Sequence, residues 1–295
     1  MKKIFWILIA SVFFTACQRQ NDKGVLLKDI EKVFASVKGN FSLAYKNLDS
    51  GDTLFIRADR SYHAASTMKT PVMVEVFRQA QQGKFSLNDS LVLTNEFKSI
   101  LDSSSFSLLR TDDSDTSIYD HIGEKRTIYS LMYDMIIVSS NMATNLIIEL
   151  VGARNVESLM QEQGLTGLHV LRGVEDKKAY RAGLSNTTEA RDQLRLYEMI
   201  ASHTIADSAS SEQMIAVLLD QKFSDILPAQ LPADVKVAHK SGSIAKLAHD
   251  GGIIFLPDGR RYVLILLSDE LEDEAAGVNA MATVSKLIYD YARTH

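Results

Sequence analysis

Strand-like apolar segments lie near the two ends of this 295-residue chain, whereas its middle carries helical patterns. Two pairs of such strands each flank a tight-turn signal, and each pair predicts a hairpin. The four strands are residues 40–47, 53–56, 251–256 and 262–267. Strands from both ends can share one sheet if the helical middle is an insertion. The predicted fold class is therefore α/β (α+β), an antiparallel sheet of about five strands from both chain ends flanked by helices, with an inserted all-helical lobe.

The composition is that of an ordinary globular protein and argues against several kinds of partner. Apolar residues make up 46% of the chain, charged residues 23%, and the net charge of -5 argues against nucleic acid as a partner. The seven histidines show no His-x-x-x-His spacing, so we expect no metal and no cofactor. The run Asp112-Asp113-Ser114-Asp115 lacks the glycine and the terminal glutamate of a calcium loop, and we interpret it as a solvated loop.

The start of the chain resembles the export signal of a bacterial lipoprotein. Two lysines precede an apolar run over residues 4–14 that is too short to span a membrane. Phe14-Thr15-Ala16-Cys17 then matches a lipobox, whose cysteine receives lipid. We expect removal of residues 1–16, a lipid on Cys17 and a tether over residues 17–26, which would anchor the protein to a bacterial membrane in the cell envelope, outside the cytoplasm. An ordinary signal peptide with a chance cysteine is the alternative.

Ser66 and Lys69 form the first spacing that suggests chemistry. An apolar helical run follows them, so Ser66 would lie at a helix N-terminus with Lys69 one turn on, on the same face. A serine hydroxyl becomes an effective nucleophile when a neighbouring base takes its proton, and a lysine with a lowered pKa can be that base. The spacing is common, since Ser243 and Lys246 repeat it. It also fits a capped helix start with an exposed lysine.

Two further polar segments interrupt apolar stretches. Ser139-Ser140-Asn141 separates two strongly apolar helical runs, and polar side chains are seldom grouped in this way without partners. An ordinary capped turn between two helices is the alternative interpretation. Lys240-Ser241-Gly242 lies in the extended segment that leads to the second hairpin.

The three segments occur in the order Ser66-x-x-Lys69, Ser139-x-Asn141 and Lys240-Ser241-Gly242. In this order they resemble the signatures of the class A β-lactamases and of the penicillin-recognising serine acyltransferases in general. The resemblance covers nearly the whole chain after the signal segment and includes Asn145, which matches a helix asparagine of that family. Ser140 stands where the family has an aspartate that mostly holds the loop together.

The resemblance implies catalytic roles for Ser66, Lys69 and Ser139 and a substrate-binding role for Asn141. Ser66 attacks the substrate carbonyl carbon, and Lys69 takes the serine proton directly or through water. Ser139 relays a proton to the leaving amine. Asn141 holds both Lys69 and the substrate amide.

The resemblance also implies a substrate-binding strand. Lys240 supplies positive charge near the substrate carboxylate, which Ser241 hydrogen-bonds, and no arginine matches the family's carboxylate clamp. Gly242 lets the strand edge approach the substrate closely. The backbone N–H groups of Ser66 and Ser243 form the oxyanion hole.

The loop that begins at Arg172 departs from the family pattern. In the family, Arg-x-Glu is followed four residues later by asparagine, and the glutamate activates the water that hydrolyses the acyl-enzyme. Here Glu175 lies one residue later, Ala179 stands where the asparagine would fall, and Asn186 replaces an aspartate that pairs with the arginine. Glu175 is the predicted base and Asp176 the alternative, while a surface run of charges is the non-catalytic interpretation.

The whole sequence predicts a lipid-anchored serine hydrolase that opens β-lactam amides through an acyl-serine intermediate. One alternative is a D-alanyl-D-alanine peptidase or another acyl hydrolase of the envelope, with a peptidoglycan-type substrate. The other is a non-catalytic lipoprotein that binds peptidoglycan. The predicted catalytic domain covers residues 27–295, with a sheet lobe of residues 27–65 and 233–295 and a helical lobe of residues 66–232.

Overall fold

The computed structural model describes residues 22–295. The predicted signal segment and the lipid on Cys17 lie outside that range. The first described element is a helix over residues 22–35, so helical structure includes the last residues of the segment expected to be a tether. In the described part of the chain, no helix is both long and apolar enough to cross a membrane.

The described chain begins with a helix, continues through strands, a mostly helical middle and three long strands, and ends with a helix. The strands are β1 (Asn40–Asn47), β2 (Thr53–Ile56), β3 (Tyr62–His63), β4 (Ser90–Val92), β5 (Phe97–Lys98), β6 (Ser105–Phe106), β7 (Lys125–Thr127), β8 (Thr187–Thr188), β9 (Lys236–Ile244), β10 (Leu247–Phe255) and β11 (Arg261–Asp269). The helices are α1 (22–35), α2 (Lys69–Gln81), α3 (Ile128–Ile137), α4 (Asn141–Val151), α5 (Ala153–Glu162), α6 (Lys177–Arg181), α7 (Ala190–Ala201), α8 (Ser208–Leu219) and α9 (Glu274–Ala292).

Five of the strands form one antiparallel sheet in the order β2-β1-β11-β10-β9. β1 pairs with β11 along its whole length, from Asn40 opposite Asp269 to Asn47 opposite Tyr262. The first and last parts of the chain therefore meet within the sheet, and the helices between them are an insertion. This confirms the predicted fold class.

Side chains of β11 alternate between two hydrophobic cores, one on each face of the sheet. Val263, Ile265 and Leu267 pack into the core shared with the helical lobe. Leu264 and Leu266 pack into the other core, beside residues of α1 and α9. Because both faces of the sheet are covered, this strand is apolar along its length instead of alternating with polar residues.

Helix α2 runs through the core of the helical lobe. Val72, Met73, Val74 and Val76 are all fully buried, although they point to different sides of the helix. Gly83, with φ of +73°, follows its last turn, as the sequence predicts for a helix end. The residues at the start of α2 are therefore carried by a fully packed helix.

Candidate active site

Ser66 lies in the short 3-10 turn Ala65–Met68 that leads into α2, one element before the α-helix itself. Ala65 has φ of +45°, a left-handed conformation that residues with a Cβ rarely adopt. Its N–H donates to Nδ1 of His63 at 3.0 Å. Ser66 is partly exposed at the cleft, and among the described residues nothing accepts or donates a hydrogen bond to its hydroxyl.

Lys69, the first residue of α2, joins the first two predicted segments. Its side chain is fully buried, and Nζ donates to the Ser139 carbonyl oxygen at 2.8 Å. Nζ also lies 3.1 Å from Ser139 Oγ and 3.1 Å from Asn141 Oδ1. The structure therefore brings Ser139, Asn141 and Lys69 together at the turn that carries Ser66.

The environment of Lys69 favours its neutral form. Burial lowers the pKa of the Lys69 amine well below its usual value, and the nearby charge of Lys240 lowers it further. The carboxylates of Asp113 and Glu175 act in the opposite direction and raise it. The net effect favours the neutral amine, which is the form that can accept a proton.

Ser139 and Asn141 lie on a tight turn between α3 and α4. Ser139 has φ of +57°, again in the left-handed region, and this points both of its oxygens at Lys69. Ser140 is fully buried and caps α4, since its hydroxyl accepts the N–H of Ala143 at 3.3 Å. The capped-turn interpretation and the catalytic one are therefore compatible.

Lys240 is fully buried within β9. Its Nζ donates to the carbonyl oxygen of Ser241 at 2.7 Å. Burial lowers the pKa of Lys240 to about 7, against the opposing charge of Asp250. Asp250 itself lies 2.8 Å from Nδ1 of His239 and accepts the N–H of Leu227, so His239 is part of a buried hydrogen-bonded cluster.

Strand β9 presses directly against the turn that carries Ser66. A Cβ built on Gly242 would lie 2.9 Å from the Ser66 backbone nitrogen and 3.0 Å from that of Thr67. No side chain fits there without moving backbone, so a glycine is required. This close approach places Ser241 and Ser243 on the same cleft wall as Ser66.

Glu175 lies on the opposite side of the cleft, with its side chain about one-third exposed at 34%. It has φ of +61° and borders the cleft together with Ser66 and Asn141. Among residues 22–295 its carboxylate accepts no hydrogen bond, and Lys177 Nζ is 3.9 Å away. The carboxylate is therefore available to a water molecule.

Asp176, the alternative base, is used in a different way. It is buried, and its carboxylate accepts hydrogen bonds from Ser99 Oγ at 2.9 Å and from the Ile100 N–H at 2.9 Å. It also caps α6 by accepting the N–H of Ala179 at 3.0 Å. These bonds occupy both oxygens and indicate a structural role, although the residue also borders the cleft.

Asn186 holds the start of this loop through the backbone. Its Oδ1 accepts the N–H groups of Leu171 and Arg172, and its Nδ2 donates to the Arg172 carbonyl oxygen at 2.9 Å. The Arg172 guanidinium bonds to the carbonyl oxygens of Leu184 and Gly173. Asn186 thus holds the backbone at Arg172, whereas backbone carbonyl oxygens hold the Arg172 guanidinium.

The acidic loop, residues 112–115, contradicts the expectation of a solvated segment at Asp113. That side chain is only 5% exposed, and its carboxylate accepts the N–H groups of Asn141 and Met142, both at 2.9 Å. The expectation was wrong because these partners lie far along the sequence, where no local pattern reveals them. The available signal was Ser140, a hydroxyl where the resemblance expects an acid.

Ser66 borders an open cleft that consists of two adjoining parts, called its arms here. The first arm, about 560 Å³, is bordered by Ser139 and β9, and the second, about 630 Å³, by the loop of Glu175. Ser66, Asn141 and Ser243 border both arms. These volumes suit a small organic substrate. Within residues 22–295, no group of three histidine, cysteine or acidic side chains could hold a metal ion.

The arrangement provides the parts of an acyl-transfer site. The free hydroxyl of Ser66, the buried amine of Lys69 and the Ser139 hydroxyl lie around the start of α2. Lys240 is buried in the adjacent strand β9, and the Glu175 carboxylate borders the cleft. Such a set can activate a nucleophile, protonate a leaving group and position a water.

Comparison with known proteins relates the chain to one group. A family model described as "Beta-lactamase enzyme family" matches residues 25–292. The chain is 22% identical to the β-lactamase VEB-1 of Pseudomonas aeruginosa, over 99% of this chain and 98% of that protein. It is 23% identical to the extended-spectrum β-lactamase PER-1 of the same organism, over 95% of this chain and 91% of that protein. A solved mutant of PBP-A, an acyl-enzyme complex with penicillin G, is 25% identical with a TM-score of 0.79, covering 92% of this chain and 97% of that one.

Proposed function

The chain belongs to the beta-lactamase enzyme family, and we propose that it hydrolyses β-lactams through an acyl-enzyme on Ser66. The position of Lys69 carries this proposal. It is a buried amine, bonded to Ser139 and Asn141, at the start of the helix that follows Ser66. Neither the peptidase nor the non-catalytic alternative is favoured by the relatives, which are β-lactamases.

Acylation begins when Ser66 Oγ attacks the lactam carbonyl carbon. Lys69, held towards its neutral form, accepts the serine proton directly or through water. The carbon–nitrogen bond then breaks while Ser139, 3.1 Å from Lys69 Nζ, passes the proton to the lactam nitrogen. An ester of Ser66 results, the ring is open, and Lys69 is neutral again.

The strand β9 would stabilise the charge that develops. Ser66 and Ser243 both border the cleft, and their backbone N–H groups would donate to the oxyanion. Lys240 and Ser241 would bind the substrate carboxylate, Lys240 through its charge and Ser241 through its hydroxyl. Gly242 supports this arrangement because its lack of a side chain lets β9 approach the Ser66 turn.

Deacylation would use Glu175 as the general base. Its carboxylate borders the cleft arm that contains Ser66 and accepts no hydrogen bond from the described chain, whereas Asp176 is occupied by three. Glu175 takes a proton from water, the water oxygen attacks the ester carbon, and the ester bond breaks. The proton returns to Ser66 Oγ, which releases the ring-opened acid.

Lipid attachment at Cys17 and a location at the cell envelope belong to the same proposal. They are supported by the lysines, the apolar run and the lipobox-like Phe14-Thr15-Ala16-Cys17 of the sequence. A lipid there would tether the catalytic domain to a membrane through a few residues before the helix at 22–35.

The test is incubation with a chromogenic cephalosporin and a penicillin, followed by absorbance and by intact-mass spectrometry. We expect turnover of the cephalosporin and a transient adduct that maps to a Ser66 peptide and is lost in Ser66→Ala. Absence of both turnover and adduct would refute the proposed function. An adduct that persists in Ser66→Ala would refute the nucleophile.

A further inference from the structure

The acidic loop holds the turn between α3 and α4 from outside. The carbonyl oxygen of Asp112 accepts a hydrogen bond from Asn141 Nδ2 at 3.1 Å. The hydroxyl of Ser114 donates to the carbonyl oxygen of Val138 at 2.6 Å. Asp113 lies between these two residues in the sequence. Three consecutive loop residues therefore contact the turn on both sides of Ser139.

The carboxylate of Asp113 contacts the first turn of α4. Oδ1 accepts the N–H of Asn141 and Oδ2 that of Met142, each at 2.9 Å. Tyr119 and the Asp115 N–H donate to the same carboxylate at 3.1 and 3.0 Å. The N–H groups of Asn141 and Met142 belong to the first turn of α4, where backbone N–H groups have no acceptor within the helix and a negative charge is favoured.

The turn needs such an external support. Ser139 has φ of +57°, and a residue with a Cβ keeps that conformation only where its surroundings impose it. The acceptor inside the turn, Ser140 Oγ, is already used by the N–H of Ala143. The first two N–H groups of α4 therefore rely on Asp113 as their hydrogen-bond acceptor. The orientation of Ser139 and Asn141 towards Lys69 relies on the same two bonds.

We propose that Asp113 is a positioning residue for acylation. From a loop well upstream, it supplies the carboxylate that the resemblance would place in the turn itself at position 140. It fixes Ser139 and Asn141 against Lys69 and adds a negative charge to their surroundings. This inference rests on the proposed function, because acylation by a β-lactam is its readout.

The pH dependence of acylation can distinguish a positioning role of Asp113 from a purely structural one, because Asp113 is one of the charges that shift the pKa of Lys69. Lys240 on β9 lowers the pKa of Lys69, and Asp113 and Glu175 raise it. Removing the Asp113 charge should therefore lower that pKa further, so the acid limb of the acylation rate moves to lower pH. Loss of stability alone would not move the limb in this direction.

The experiment compares Asp113→Asn with the matched loop variant Asp115→Asn. The Asp115 carboxylate accepts a hydrogen bond from Ser117 Oγ and forms none of the hydrogen bonds that hold α4. Single-turnover acylation by a penicillin is followed from pH 5 to 9 in the purified protein. In Asp113→Asn the amide nitrogen opposes an N–H donor, so we expect the plateau rate to fall about tenfold or more and the acid limb to shift to lower pH. Asp115→Asn should match the wild type. Equal plateaus and limbs in the two variants would overturn the proposal.

A second variant covers the case in which Asp113→Asn does not fold. The double variant Asp113→Asn, Ser140→Asp returns a carboxylate to the turn, and it should recover most of the acylation rate. A double variant that regains its thermal stability without regaining acylation overturns the proposal. Failure of the wild type itself to acylate would instead refute the proposed function.

Discussion

Asn145 pairs with the backbone of Val174 like one strand with another. Its Oδ1 accepts the Val174 N–H at 2.7 Å, and its Nδ2 donates to the Val174 carbonyl oxygen at 3.1 Å. Val174 immediately precedes Glu175, and Asn145 lies one turn of α4 after Asn141, which bonds Lys69. A single helical turn therefore links the residues proposed for acylation to the one proposed for deacylation.

Replacing Asn145 with alanine should slow deacylation more than acylation. The two hydrogen bonds to Val174 disappear and leave backbone groups unpaired, which costs about 1–3 kcal/mol per buried group, and Glu175 loses its fixed position. Burst kinetics and thermal unfolding would measure both effects. Asn155→Ala is the control, since this α5 residue loses a side-chain bond to the carbonyl oxygen of Val151 at the end of α4. An equal loss in both catalytic steps would contradict the prediction.

Glu175→Gln should make the acyl-enzyme accumulate while acylation continues. The amide cannot take a proton from water, and loss of a general base slows a step by about 10²–10⁴-fold. Stopped-flow absorbance and intact mass would report the burst and the trapped adduct. Asp176→Asn is the matched comparison, and because Asp176 bonds Ser99 and Ile100 we expect it to lower the unfolding temperature instead. If Asp176→Asn traps the acyl-enzyme and Glu175→Gln does not, the assignment is reversed.

kcat/KM should depend on pH as a bell whose alkaline limb reports Lys240. Below its pKa of about 7, Lys240 is charged and can bind the substrate carboxylate, and above it the charge is lost and KM should rise. Lys69 must be neutral to act as a base, so it governs the acid limb. The two titrations are coupled, because Lys240 helps to lower the pKa of Lys69.

Lys240→Arg tests this assignment, because arginine keeps its charge throughout the range. The alkaline limb of kcat/KM should disappear in that variant, with KM independent of pH. Steady-state kinetics with a penicillin from pH 5 to 9 would show it. An alkaline limb that persists unchanged in Lys240→Arg would show that another group titrates there.

Gly242→Ala should impair acylation. The added methyl group would lie 2.9 Å from the Ser66 nitrogen and 3.0 Å from that of Thr67, and both are backbone atoms that cannot rotate away. β9 must then move from the Ser66 turn, which we expect to reduce the acylation rate about tenfold or more by displacing oxyanion donors. Gly24→Ala in α1 is the control, as nothing lies within 4 Å of its added Cβ. Acylation at the wild-type rate in Gly242→Ala would contradict the described approach.

Cys17→Ala should release the protein from membranes or block its processing. The thiol is the expected point of lipid attachment, and without it no acyl chain can anchor the mature chain. Fractionation of cells and electrophoretic mobility would show the change, with the Ser66→Ala variant as a control that keeps the signal intact. Unchanged partition between membrane and soluble fractions would argue for an ordinary signal peptide.

Local patterns were sufficient to predict the sheet and the positions of the three motif segments. Lys69 follows Ser66 at helical spacing, and two apolar segments flank the turn signal at residues 257–260 and pair as a hairpin. These features depend on residues a few positions apart, and periodicity reports such neighbours directly. The order of the elements predicted that strands from both chain ends share one sheet, but it did not predict which of them pair, namely β1 with β11.

Long-range partners could not be predicted in this way. Asp113 resembles any solvated aspartate until the N–H groups of Asn141 and Met142 are seen beside it. Likewise, the spacing after Arg172 could not separate Glu175 from Asp176, because burial and bonding to a distant segment distinguish them. Sequence alone locates a reactive group, whereas its supporting contacts come from elements that meet only in the folded chain.

The pairing of β1 with β11 also has a consequence for how the protein folds during its synthesis. Asn40 faces Asp269, so the central strands of the sheet are joined by residues more than two-thirds of the chain apart. A topology dominated by such distant pairings folds slowly, because the loop must close before the contact forms. During synthesis the nucleophile would leave the ribosome long before β9 and β11. The reactive serine therefore stays in an incomplete site until nearly the whole polypeptide has been made.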